Sequence, residues 1–246
     1  MPRVVASIEA RMGSSRLPGK VLADVRGKPA LSRLLDRLNR CRRLDGIVLA
    51  TSTHPQDDPV AAWAASEGVF CHRGSEEDVL RRVVEAQRML GSEIVVEVCG
   101  DMTLLDPELT DMGIVTFLEN ECDVVTTACK PSYPVGADVV VCRLIDLEWV
   151  EGNARDPEFR EHVALYLFRH PEKYRILHLF APRRLEDPEC RLVLDYPEDL
   201  EFIRTLYERL EPAHGGEFGL PEIMELLRKD PQLREINRHC GKETPS

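Results

Sequence analysis

The chain has 246 residues, 43% of them hydrophobic, and a formal charge of -11. That apolar fraction suffices for one sizeable α/β domain and excludes a mainly disordered chain. The net acidity excludes a general nucleic-acid binder, whose affinity needs basic side chains that release counterions from phosphates; any polyanion site has to be local.

The predicted elements alternate from the start. "RVVASIE" (3–9) reads as a buried strand and is followed by the glycine- and cation-rich loop "ARMGSSRLPGK" (10–20). "PALSRLLDRLNRCRR" (29–43) is a helix by the spacing of Leu31, Leu34, Leu35 and Leu38. "GIVLATS" (46–52) is a strand, "PVAAWAASEG" (59–68) a helix closed by Gly68, and "VFCH" (69–72) a short strand. "SEEDVLRRVVEAQRMLG" (75–91) is a helix with Ser75 as N-cap, Asp78 in capping-box position and Gly91 as stop. "EIVVEVCGD" (93–101) is a strand ending at Asp101.

This order predicts a mostly parallel sheet with helices on both faces. Ligands of such sheets bind at the carboxyl ends of the strands, where the opening loop and Asp101 face one cleft. Further on, "KPSYPVGADVVVCRL" (130–144) is a loop running into a strand and "PEFREHVALYLFRH" (157–170) a helix. "YRILHLFAP" (174–182) and "CRLVLDY" (190–196) read as strands. "PEDLEFIRTLYERL" (197–210) and "LPEIMELLRKD" (220–230) are helices with proline at their starts. Residues 1–240 are expected to form one domain with a small lobe from about 130–190, and residues 241–246 a frayed tail.

Eight cysteines occur without a C-x-x-C pair, and seven histidines without an H-E-x-x-H or a zinc-spaced cluster. Free thiols in a reducing cytoplasm are the expectation, with no disulfide scaffold and no zinc centre. No apolar run approaches the roughly 20 residues that span a bilayer, so no membrane partner is expected.

The loop at 10–20 is not a Walker motif: Gly13 lies one residue too far from Gly19 and Lys20, and Val21 stands where a magnesium-binding hydroxyl is required. It is not a dinucleotide fingerprint either, because its glycines are six apart with Pro18 before the second. What remains is physical: glycines bring backbone N–H groups close to oxygens, Ser14 and Ser15 add hydroxyls, and Arg11, Arg16 and Lys20 add charge suited to a triphosphate. A solvated basic turn is the alternative.

Here the sequence resembles a known family, the nucleotidyltransferases that activate sugars with CTP. These include the CMP-Kdo and CMP-sialate synthetases and, most similar, the cytidylyltransferases of spore-coat polysaccharide biosynthesis. "ARMGSSRLPGKVL" is close to that group's opening signature A-R-M-G-S-[ST]-R-L-P-G-K-V-L. "LATS" (49–52), "RGSEEDVLRR" (73–82), "GDMTLLDP" (100–107) and "RLVLDYPEDLE" (191–201) follow in the family's order.

The resemblance implies a Rossmann-like α/β nucleotidyltransferase sandwich and Mg2+-dependent attack of an acceptor oxygen on the α-phosphorus of CTP, for polysaccharide or glycoconjugate synthesis. Carried over by position, Ala10, Arg11, Gly13, Ser14, Ser15, Arg16 and Lys20 hold the triphosphate, with Arg11 and Lys20 catalytic. Asp101 and Asp195 match the metal-binding aspartates and read as the ends of two strands. Gly74, Ser75, Asp78 and Arg82 match the segment that contacts cytosine and ribose, whereas Arg81 faces solvent. Tyr133, Gly136, Asp138, Glu161 and His162 fall near the acceptor, and Asp199 reads as a first-turn helix carboxylate. Relatives of this kind are commonly dimers, so a homodimer is implied.

Relatives often read V-R-I-T-G-D-C-P-L-I-D-P where this chain has Glu97 for the arginine and Met102-Thr103 for Cys-Pro, and Val140 stands where a carboxylate is common. A less anionic acceptor and a rearranged salt bridge both account for Glu97. Two other readings compete: a nucleotidyltransferase using another NTP or a phosphate acceptor, and a nucleotide-binding regulatory domain without turnover. The joint presence of Lys20, Asp101 and Asp195 argues against the last.

Overall fold

The computed structural model describes residues 2–241; of the tail read as frayed, residues 242–246 lie outside the described residues. The first strand, β1 (Val4–Glu9), leads through the opening loop to a small hairpin, β2 (Asp24–Val25) and β3 (Lys28–Pro29), and to helix α1 (Ala30–Leu38). β4 (Gly46–Ser52), α2 (Asp58–Glu67), β5 (Phe70–Gly74), α3 (Val79–Met89) and β6 (Ile94–Cys99) alternate regularly. Then come α4 (Pro107–Glu119), β7 (Val124–Thr126), β8 (Val140–Arg143), α5 (Leu144–Asn153), α6 (Pro157–Glu161), α7 (Leu165–Arg169) and β9 (Ile176–His178). Two longer helices, α8 (Pro197–His214) and α9 (Leu220–Lys229), follow.

The main sheet has seven strands in the order β5-β4-β1-β6-β8-β7-β9. All neighbours pair in parallel except β8, which runs antiparallel to β6 and β7. Strand alternation divides the core. Val4, Ala6 and Ile8 of β1 and Ile94, Val96 and Val98 of β6 pack toward α1, α2, α4, α8 and α9, while Val5 and Val95 face α3, α5 and α7. The same period of two turns Glu9, Glu97 and Cys99 onto the second face, at the carboxyl ends of β1 and β6. These are the mostly parallel sheet and two helical layers that the sequence leads one to expect, and β8 and β9 tie residues 130–190 to the sheet.

Gly100 lets the strand ends meet. Its N–H donates to the Glu9 carbonyl at 2.8 Å, and a Cβ there would lie 2.8 Å from the Ala10 Cβ, so only glycine allows this approach.

The structure corrects several expected elements. The helix expected over 29–43 ends at Leu38, and the backbone N–H groups of Arg42 and Arg43 are taken up by the Asp111 carboxylate instead. The N-cap of α3 is Asp78, which accepts from Arg81 N at 3.0 Å, not Ser75, whose hydroxyl accepts from Asp78 N at 3.1 Å. The helix expected over 157–170 breaks at His162, which is extended at φ -109°, ψ 103°; this break buries Val163 completely. Residues 190–196 form an extended loop, not a strand. It is held by a single parallel bridge between Val135 and Arg191, because the loop buries Leu192 and Leu194 against the helical core.

Candidate active site

The opening loop is fastened from its own side of the sheet. Asp57, 2% exposed, accepts the Met12 N–H at 2.6 Å and also holds the Ser52 hydroxyl. Gly19 donates to the Met12 carbonyl at 3.0 Å and caps a short 3-10 turn over Lys20–Leu22 from the left-handed region, φ 71°, a conformation that costs glycine little. Val21 is buried beneath, which sets Lys20 at the rim.

A cleft of about 380 Å³ opens at this point. The loop contributes Ala10, Arg11, Gly13, Ser14, Ser15, Arg16 and Lys20 to its wall; Glu9, Cys99, Gly100 and Asp101 come from the strand ends, and Arg82, Glu161, His162 and Asp195 from the opposite side. A second cleft of about 560 Å³ adjoins it and shares Cys99, Asp101, His162 and Asp195 with it. Gly136 and Asp138 line this second cleft. Gly136 has φ 89°, and a Cβ there would come within 2.7 Å of the Val193 Cβ.

Charge is concentrated where the clefts meet. Lys20 Nζ donates to Asp101 Oδ2 at 2.6 Å and to Asp195 Oδ1 at 2.8 Å. Burial works against the ammonium, but the two carboxylates outweigh it and hold the Lys20 pKa above its ordinary value. Asp195 also receives Arg16 Nη2 on Oδ1 and Arg191 Nη2 on Oδ2, each at 3.0 Å. Burial raises the Asp195 pKa, yet Lys20, Arg191 and Arg16 together bring it below the usual carboxylate range. Asp101 and Asp195 are brought together by the extended loop, since Leu194 N donates to the Asp101 carbonyl at 3.1 Å.

Two carboxylate oxygens therefore converge on one cation position, which the Lys20 ammonium fills. Hard anionic oxygens in a water-accessible cleft fit Mg2+, which takes few protein ligands and keeps several waters. The Asp101 and Asp195 carboxylates thus fit a divalent cation of the kind that the sequence implies.

Of the other site residues named from the sequence, Arg82 and Glu161 line the first cleft, and Tyr133, Gly74, Ser75 and Asp78 are in neither lining. Tyr133 is 5% exposed, packs in the main core and lines neither cleft. Glu161 lines the first cleft, not the second, and pairs with Arg11 at 3.0 Å. Gly74 ends β5, and Ser75 and Asp78 lead into α3. Arg82, 1% exposed, donates to the carbonyls of Ser75 at 2.6 Å, Glu76 at 3.4 Å and Ala50 at 3.3 Å, so it braces that segment. Asp78 pairs with Arg160, and Arg81 is solvent-facing as expected.

The sequence reading misses Asp57, Glu9, Cys99 and Arg191. It also assigns Asp199 only half its role, because that carboxylate is fully buried and accepts from Arg191 and Asn237 as well as from the helix start. The spacing of Arg191, Asp195 and Asp199, four residues apart in turn, was the available signal.

Comparison with known proteins points to one family. A family model described as Cytidylyltransferase matches residues 5–220. The chain is 33% identical over 235 residues, 94% of its length and 96% of the relative's, to the spore coat polysaccharide biosynthesis protein SpsF of Bacillus subtilis (strain 168). It is 35% identical over 208 residues to the 3-deoxy-manno-octulosonate cytidylyltransferase of Nitratidesulfovibrio vulgaris (strain DP4), spanning 74% of this chain and 79% of that one. Among solved structures, a cytidylyltransferase from Leptospira borgpetersenii serovar Hardjo-bovis (strain JB197) superposes with a TM-score of 0.90 over the whole of both chains at 27% identity.

Proposed function

The chain belongs to the cytidylyltransferase family, and from that premise we propose that it transfers CMP from CTP to a small polar, sugar-like acceptor with release of pyrophosphate. The observation that carries this reading is Lys20 held between Asp101 and Asp195 at the junction of two clefts, one lined by the cationic loop and one free for an acceptor. The process such a product would serve is polysaccharide or glycoconjugate assembly, in keeping with the spore coat relative's name.

In this mechanism Arg11, Arg16 and the hydroxyls and N–H groups of residues 13–15 hold the triphosphate oxygens in the first cleft. Binding a triphosphate gives Lys20 a new anionic partner, and its ammonium neutralises charge that grows on the α-phosphate during transfer. The acceptor hydroxyl oxygen forms a bond to the α-phosphorus as the bond from that phosphorus to the pyrophosphate oxygen breaks. The hydroxyl proton passes to His162, the imidazole that lines both clefts. Mg2+ held by Asp101 and Asp195 would supply further charge neutralisation of the phosphates.

Pyrophosphate release, measured with CTP, UTP, ATP and GTP in turn over a broad acceptor panel, tests the proposal. Release with CTP well above the other three is expected. Equal rates with all four remove the cytidylyl assignment, and tight CTP binding without release under any condition leaves the regulatory reading in its place.

A further inference from the structure

The second cleft is built for a particular kind of molecule. Glu97 and Asp138 stand in its wall among apolar residues such as Val135, Leu165 and Phe168. Arg191 is the only arginine or lysine in the lining, and its guanidinium is already committed, through Nη2 to Asp195 and Asp199 at 3.0 Å each and through Nε to Asp199 at 3.3 Å.

Glu97 has no such commitment. Among the described residues it forms no ion pair, so the rearranged salt bridge that its position in the sequence allowed is not there. Its Oε2 is buried with no hydrogen-bond partner. A buried acceptor atom without a donor is costly, and a ligand that supplies one removes the cost. Burial, and then the neighbouring Asp138, push the Glu97 carboxyl up to about 7 against a helpful Ala164 N–H, and Asp138 is raised mainly by its own burial. A carboxylate-bearing acceptor seated here would add another acid group to a cleft already lined by Glu97, Asp138, Glu158, Asp101 and Asp195, with no uncommitted lysine or arginine in the lining to meet it.

We propose that the acceptor presents hydroxyl or amino hydrogen-bond donors to Glu97 and Asp138 and carries no carboxylate, in contrast to the octulosonate for which the Nitratidesulfovibrio vulgaris relative is named. The inference rests on the reading of the second cleft as the acceptor site of CMP transfer.

Saturation-transfer NMR and calorimetry on the full chain with CTP present test it directly, with glucosamine, mannosamine and ribitol as donor-rich probes and N-acetylneuraminate as the sugar acid. At least one donor-rich probe is expected to bind more tightly than the sugar acid. Glu97→Gln is expected to weaken that binding roughly ten- to hundredfold, the loss of one charge-assisted hydrogen bond. Glu97→Arg is expected to admit N-acetylneuraminate. Preference of the wild-type protein for N-acetylneuraminate overturns the proposal, as does absence of binding by all three donor-rich probes or unchanged binding in Glu97→Gln. CTP affinity, titrated separately, reports on the nucleotide reading: its loss alone overturns that reading while the probe preference is still scored.

Discussion

The buried carboxylate of Asp199 accepts the backbone N–H of Asp195 at 3.0 Å. Through the same side chain it holds Arg191, which in turn holds the Asp195 carboxylate. Asp199 is thus a positioning residue, fixing the carboxylate of Asp195, which unlike its own lines both clefts. Asp199→Asn removes the buried negative charge that Arg191 faces and leaves it only the Asp195 carboxylate, and breaking one side of such a buried pair is expected to cost about 3 kcal/mol in stability. Urea unfolding checks the cost, and pyrophosphate release checks the accompanying fall in kcat. A variant with wild-type values for both would show that Asp195 needs no such anchor.

Lys20→Met separates charge stabilisation from binding. Turnover is expected to fall by about a hundredfold or more with a smaller change in nucleotide affinity. The variant also leaves Asp101 and Asp195 without their shared cation, so Mn2+, used as a probe by water-proton relaxation without nucleotide, is expected to bind more tightly than to wild type. An unchanged Mn2+ affinity would mean that Lys20 does not occupy the cation position.

Asp101→Asn and Asp195→Asn are each expected to abolish Mg2+-dependent pyrophosphate release while circular dichroism stays that of the parent chain. Full activity in either variant would remove it from the metal site.

Glu97 also sets a pH dependence. Its carboxyl is raised from 4.5 to about 7 in the folded chain, so between those values the folded state holds a proton that the unfolded state has released. Stability from this group therefore falls as pH rises through that window and levels off above it. Glu97→Gln is expected to be more stable than wild type at pH 8 by about 1–3 kcal/mol, with the difference closing toward pH 4.5. Parallel unfolding curves at both pH values would contradict the assignment.

Much of the first half of the chain is legible in its sequence because local signals and tertiary demands coincide there. Gly68 ends α2 in the left-handed region, φ 70°, and β1, β4 and β6 are short apolar runs buried on both faces. The loop at 10–20 and Asp101 do face one cleft, as the carboxyl-end rule requires. The second half is less legible because burial there does not come from periodic elements. "CRLVLDY" has a strand's composition, yet only one bridge forms, and its leucines are buried as a loop. "PEFREHVALYLFRH" has a helix's spacing, but burying Val163 breaks it at His162. α4 carries a clear cap at Asp106, whose carboxylate accepts Leu109 N at 2.9 Å, and Pro107 in its first turn; that signal lies inside the stretch "GDMTLLDP", where it reads as part of a ligand motif. Asp57 could not be found from spacing at all, because its role is to accept an N–H from 45 residues away.

Lys20 and Asp195 are 175 residues apart in the chain, so the junction of the two clefts rests on one of the longer-range contacts of the fold. β1, β4, β5, β6 and the cationic loop all belong to the first hundred residues, whereas the carboxylate that completes the cation position arrives only with the segment entering α8. Closing the Lys20–Asp195 contact therefore requires the first strand's loop and the segment before α8 to be in place together.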